Sequence, residues 1–138
     1  MEQLFKSLTH IIELLDQIYT ITINQRTILL DSKNAGDGLD MIEEMATYKN
    51  ELTNKLEAIE GAFQEQYAAE KENLTDIEVQ KLLKQAVGQV LELKDKVIQL
   101  EQHNVLIMQD LLRRLNEKIE IPKAPGAVVH AYKQYSKR

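Results

Sequence analysis

Three histidines, His10, His103 and His130, are the only imidazoles in a chain of 138 residues that has no cysteine. Without thiols there is no disulfide framework, no thiolate metal site and no sulfur nucleophile. A di-iron helical bundle places Glu and His three residues apart on one face. Ser7, Leu100 and Ala127 stand three residues before the histidines, so that pattern is missing. A phosphotransfer bundle needs an exposed histidine followed by a cation that balances phosphoryl charge. His10 is followed by Ile11-Ile12-Glu13-Leu14 and His103 by Asn104-Val105-Leu106-Ile107, and neither run supplies one. Residues 31–42 have Gly36 at the sixth place of a calcium loop, but Lys33 and Ala35 occupy ligand places and Ile42 stands where a bidentate Glu belongs. No glycine-rich phosphate loop occurs. The 22 acidic residues read as solvated faces of amphipathic helices. The expectation is a non-enzymatic chain without metal or cofactor.

The surface with most to offer is apolar. Val105, Ile107, Met108, Leu111, Leu112 and Leu115 spread over about 160° of a helix at 100° per residue. An arc of that width suits a helix packed on two neighbours, or a helix that keeps part of its surface for a partner helix. Leu106 lies off the arc. The candidate partner-binding set is therefore Val105, Leu106, Met108, Leu111, Leu112 and Leu115. Asn104 interrupts the same seam, where a polar residue fixes register or oligomeric state. Tyr132 and Tyr135 lie in a basic segment and are candidate interface anchors, since tyrosine supplies area with a polar tip.

Three periodic segments position these residues. Leu4, Leu8, Ile11, Leu15, Ile18 and Thr22 repeat by four and three, which draws a stripe down a first helix over about 3–33. Tyr19-Thr20-Ile21-Thr22-Ile23 alternates like a strand, but helical patterns flank it and it is read as helix. Asn34-Ala35-Gly36-Asp37-Gly38 is read as a turn. A second helix over about 39–72 carries Ile42, Met45, Lys49, Leu52, Leu56, Ile59, Phe63 and Gln66. Asp37 or Asp40 caps it, and Lys49 lays its stem on the stripe with the ammonium outside. Thr75-Asp76-Ile77-Glu78 fits a capping box. The third helix, about 76–120, carries Val79, Leu83, Ala86, Val90, Leu93, Val97, Leu100, Asn104, Ile107 and Leu111 until Pro122 and Pro125 stop it.

Short connections make successive helices antiparallel. The expected fold is all-α: an elongated antiparallel bundle of three long helices over residues 1–121, with a short basic tail over 122–138. Residues 127–132 of that tail could form a short helix, pair as a strand, or order only against a partner. The tail has four basic residues and no acid, while residues 1–121 hold 13 basic against 22 acidic residues, a net charge of −9. An acidic body argues against nucleic acid. No run of about 18 apolar residues occurs, so no membrane insertion is expected. The first residues lack the charged and apolar regions of a secretory signal, so the expected location is cytoplasmic.

The order of these features resembles the small helical chaperones of bacterial flagellar export, the FlgN type and its FliT-type relative. The likeness rests on Leu39-Asp40-Met41-Ile42 leading to Lys49-Asn50-Glu51-Leu52 and Leu56-Glu57-Ala58-Ile59-Glu60. It continues in Leu100-Glu101-Gln102-His103-Asn104 with its leucine-rich sequel, and in the basic end Ala131-Tyr132-Lys133-Gln134-Tyr135. The resemblance implies a cytosolic chaperone, monomer or homodimer. Its client would be a hook-associated or filament-cap protein, held by an amphipathic C-terminal segment and kept from assembling early. It also implies docking at an export-gate component through a tail tyrosine, for which Tyr132 and Tyr135 are the two candidates. The linker Pro122-Lys123-Ala124-Pro125-Gly126 departs from a simple helical end. The alternative reading is a structural coiled-coil module that self-associates or tethers other proteins.

Overall fold

The computed structural model describes residues 2–31 and 35–115, with the side chains of all of these except 35–37, 112, 114 and 115. Three helices account for nearly all of it: α1 (Glu2–Leu30), α2 (Ala35–Glu70) and α3 (Ile77–Leu115), with a single 3-10 turn at Lys71–Asn73 between the last two. No strand is present among the described residues, and the fold is an all-α helical bundle. The tail, with Tyr132 and Tyr135, lies outside them.

The apolar stripes explain the helices. Leu4, Leu8, Ile11, Leu15, Ile18 and Thr22 of α1 are all buried, as their spacing of four and three requires. The β-branched run from Tyr19 to Ile23 is helical, because Ile18, Thr22 and Gln25 continue the same buried face through it. α1 ends where the Asp31 amide donates to both Thr27 O and Ile28 O at 3.2 Å, a shared bond common at helix termini.

Two local expectations are corrected. α2 starts at Ala35, so Gly36, Asp37, Gly38 and Asp40 belong to the helix and not to a turn and its cap. No glycine among the described residues has a positive φ. Gly38 serves a close approach instead: a Cβ there would lie 2.9 Å from Ile28 Cγ2 of α1. The N-cap of α3 is Asp76 and not Thr75. Asp76 Oδ1 accepts from the Glu78 amide at 2.9 Å, and Asp76 O accepts the helix's first bond from the Gln80 amide at 3.0 Å.

The helices contribute to two compact units, Met1–Tyr19 with Asn50–Val97, and Thr20–Lys49 with the chain from Ile98 onward. In the first unit Leu4, Leu8, Ile11, Leu14, Leu15 and Ile18 of α1 are buried, with Leu52 and Leu56 of α2 and Leu83 and Val90 of α3. Ser7 Oγ donates to Gln66 Oε1 at 3.0 Å, and Lys94 pairs with Glu60. In the second unit Leu29, Leu39, Ile42 and Met108 form the apolar cluster, and Ile28, Ile107 and Leu111 pack against it. There Gln25 of α1 meets Ile42 while Thr22 meets Lys49, so α1 and α2 run antiparallel.

Candidate functional site

The late part of α3 divides its apolar residues between two duties. Met108 is 4% exposed within the cluster of Leu29, Leu39 and Ile42, and Leu111 is half-buried against it. These two are core. Leu106 lies about 200° around the helix from Met108 at 100° per residue, and 61% of its surface is open. Val105 is half-buried beside it. Ile98, seven residues before Val105 and so on its face, is 55% exposed. The side chains of Leu112 and Leu115 lie outside those described. Of the six candidate residues the structure thus leaves Leu106 exposed and Val105 half-buried, and packs Met108 and Leu111 at the core. Ile98, which sequence reasoning passed over, is exposed along with Leu106. Its signal was the repeat Leu91, Ile98, Val105 at seven-residue steps, one flank away from the main stripe.

Beneath this surface lies a polar layer to which all three helices contribute. Lys49 Nζ donates to Gln25 Oε1 at 2.7 Å and to Thr22 Oγ1 at 3.3 Å, and it forms an ion pair with Glu101. Gln25 Nε2 donates to Ile42 O at 3.1 Å, and Thr22 Oγ1 donates to Glu101 Oε1 at 3.4 Å. Asn104 is buried, and its Nδ2 donates to Thr22 O at 3.0 Å. Its Oδ1 has no partner among the described residues. The expectation that the Lys49 ammonium lies outside is corrected: only 12% of its side chain is exposed, and its head turns toward Gln25 and Glu101. Three bonds hold the Lys49 head in place. The layer's geometry is that of a register lock. Each helix must stand at the right height for Thr22, Lys49 and Glu101 to meet.

His130 lies outside the described residues. His10 and His103 are both exposed, and no three His, Asp or Glu side chains among the described residues could hold a metal ion. His10 shares a shallow cleft with Lys6, one turn earlier on α1, which a search after the histidine passed over. Glu2 and Glu13 line the same cleft, so carboxylates outnumber the cation around the imidazole. No helix of the described residues is long and apolar enough to cross a membrane.

The exposed strip on α3 can offer area to an apolar partner, and the layer behind it holds the helix at a fixed height. Compared with protein-family models, characterised proteins and solved structures, the chain matches none.

Proposed function

We propose that this chain is a cytoplasmic, non-enzymatic export chaperone of the flagellar FlgN type. It holds the C-terminal helical segment of a hook-associated protein and prevents early assembly. One observation supports this reading above the others: Ile98 and Leu106 stand exposed on a helix whose opposite face is already committed to a core. An apolar strip of this kind is what helix-in-groove recognition uses. The acidic body keeps such a complex soluble. Because the client must be released for export, the affinity is set between micromolar and tens of nanomolar, about −8 to −10 kcal/mol. The tail, with Tyr132 and Tyr135, supplies the contact with the export gate.

The seven-residue step from Ile98 to Val105 would also serve a structural coiled coil. One experiment separates the two. The full chain is mixed with a purified hook-associated protein and passed over a sizing column with light scattering. A defined complex is expected, weakened at least tenfold by Ile98→Ser with Leu106→Ser while helix content is unchanged. A version ending at Ile121 should keep the client and lose the export-gate component. Self-association that grows with concentration, with no client complex, would replace the chaperone reading with the structural one.

A further inference from the structure

The first unit carries a second surface that the α3 strip does not explain. Between the end of α2 and the start of α3 lies a cleft of about 620 Å³, within the range of about 300–1,000 Å³ typical of ligand sites. Its α2 wall is Phe63 and Tyr67, whose rings stack at 6.4 Å between centroids and 20° between planes. Its α3 wall is Leu83 and Val87. The lining includes two charged residues, Lys71 and Lys84, and both are cations. Both are exposed, and neither is in an ion pair among the described residues. The rim is open, since Tyr67 is 39% exposed.

Helical spacing extends the groove. Lys84, Val87 and Leu91 step by three and four along α3, so Leu91 continues the wall, and it is 61% exposed. Leu74 closes the end nearest the connection between the helices, and the Glu60–Lys94 pair bridges α2 and α3 beyond the other end. From Gln80 to Leu91 the wall runs about 16 Å at 1.5 Å per residue, about three helical turns.

Apolar walls with a helical period match a partner helix that anchors residues at i, i+3, i+4 and i+7. The local charge specifies that partner further. Residues 1–121 carry a net charge of −9, yet the charged residues that line this groove are two exposed lysines. A carboxylate beside the anchors would meet the ammonium of Lys71 or Lys84, neither of which is in an ion pair among the described residues. We propose that the α2–α3 groove of the first unit docks a short amphipathic helix that carries acidic residues beside its apolar stripe. Phe63, Tyr67 and Leu91 receive the stripe, and Lys71 and Lys84 select the acid. The groove acts independently of the strip at Ile98 and Leu106.

The test uses the full chain and two dye-labelled 14-residue helical peptides, read by fluorescence anisotropy. Both present Leu and Phe on one face; one flanks them with Glu, the other with Lys. A protein of net charge −5 attracts the Lys peptide through its overall field, so a preference for the Glu peptide can come only from local cations. The Glu peptide should bind at least tenfold more tightly. K71E/K84E should reverse the preference. Tyr67→Ala with Leu91→Ser should weaken binding at least tenfold with circular dichroism unchanged, whereas Ile98→Ser with Leu106→Ser should leave it intact. Equal binding of both peptides, no binding of the Glu peptide, or indifference to K71E/K84E would each overturn the proposal. So would self-association of the chain that Leu91→Ser abolishes, since the occupant would then be a second copy.

Discussion

Lys49 shows how a single side chain reads differently on its own helix and in its surroundings. On the α2 stripe it is a cation at an apolar position, and the cheapest arrangement for an isolated helix is to send the ammonium to water. Gln25 and Glu101, from the other two helices, supply three acceptor oxygens at the same height, of which Lys49 uses one each. Removing one partner of a buried pair costs more than the pair contributes, because the other charge is left without compensation. With side-chain exposures of 12% and 27%, this pair sits between the buried and surface limits. Lys49→Met is therefore expected to lower stability by about 1–3 kcal/mol. Replacing the whole layer, as Gln25→Leu with Lys49→Met, Glu101→Leu and Asn104→Leu, is expected to be neutral or stabilising, by up to about 4 kcal/mol. It also removes the Asn104 Oδ1 that has no partner among the described residues. Thr22 keeps its place, because its hydroxyl can donate to the backbone carbonyl one turn earlier. Urea denaturation followed by circular dichroism reads both; a quadruple variant less stable than the parent chain would show that the layer contributes net stability.

At the scale of the element, the start of α3 offers a clean contrast between neighbours. Asp76 caps the Glu78 amide, while Thr75 is exposed and its own amide donates to Asn73 O at 3.0 Å. Asp76→Ala should cost about 1 kcal/mol and Thr75→Ala less than about 0.5 kcal/mol. Equal losses in denaturation would place the cap on both residues. Glycines divide in the same way. Gly61 and Gly88 have nothing within 4 Å of an added Cβ, whereas Gly38 lies against Ile28. Gly61→Ala and Gly88→Ala should each stabilise by about 0.5–1 kcal/mol, and Gly38→Ala should not, because the Ile28 methyl sits on a stiff β-branched carbon. Thermal melts of the three variants decide it. These contrasts also mark how far the sequence was legible. The stripes of α1 and α3 were readable because every turn repeats the same requirement, and the ten positions marked on α3 are all buried or half-buried. The Asn34–Gly38 break was misread because glycine fits both a turn and a close approach. Which one applies depends on Ile28, and periodicity within one segment does not carry that. Asn104 bonds to Thr22 O, but its companions Gln25 and Lys49 come from other helices and left no mark in the α3 pattern. The outer flank at Leu91 and Ile98 was missed because two apolar faces overlap on one helix, and the stronger one hides the weaker.

For the molecule as a whole, the two units divide the same three helices into cores of different chemistry. The first buries eleven apolar residues and no polar one among those described. The second buries Leu29, Leu39, Ile42, Leu100 and Met108 together with Thr22, Gln25 and Asn104, which are all the buried polar residues described. Apolar burial stabilises by about 25 cal/mol per Å², whereas a polar layer contributes little net stability once its desolvation is counted. The second unit should therefore open locally at lower free energy than the first. Amide exchange measures this directly. Amides at 98–108 of α3 are expected to exchange faster than those at 83–93 on the same helix, under conditions where global unfolding is slow. The order follows from the makeup of the layer and not from position near a chain end, so the quadruple apolar variant should slow 98–108 and leave 83–93 unchanged. Uniform exchange along α3 in the parent chain, or a variant that slows both segments equally, would mean that the helix opens as one cooperative unit and that the polar layer sets register alone. For a chaperone the first outcome has a use. Under the proposed chaperone function, a surface on Ile98 and Leu106 that rests on a readily opened segment would adapt to a client helix and release it again, while the first unit stays folded.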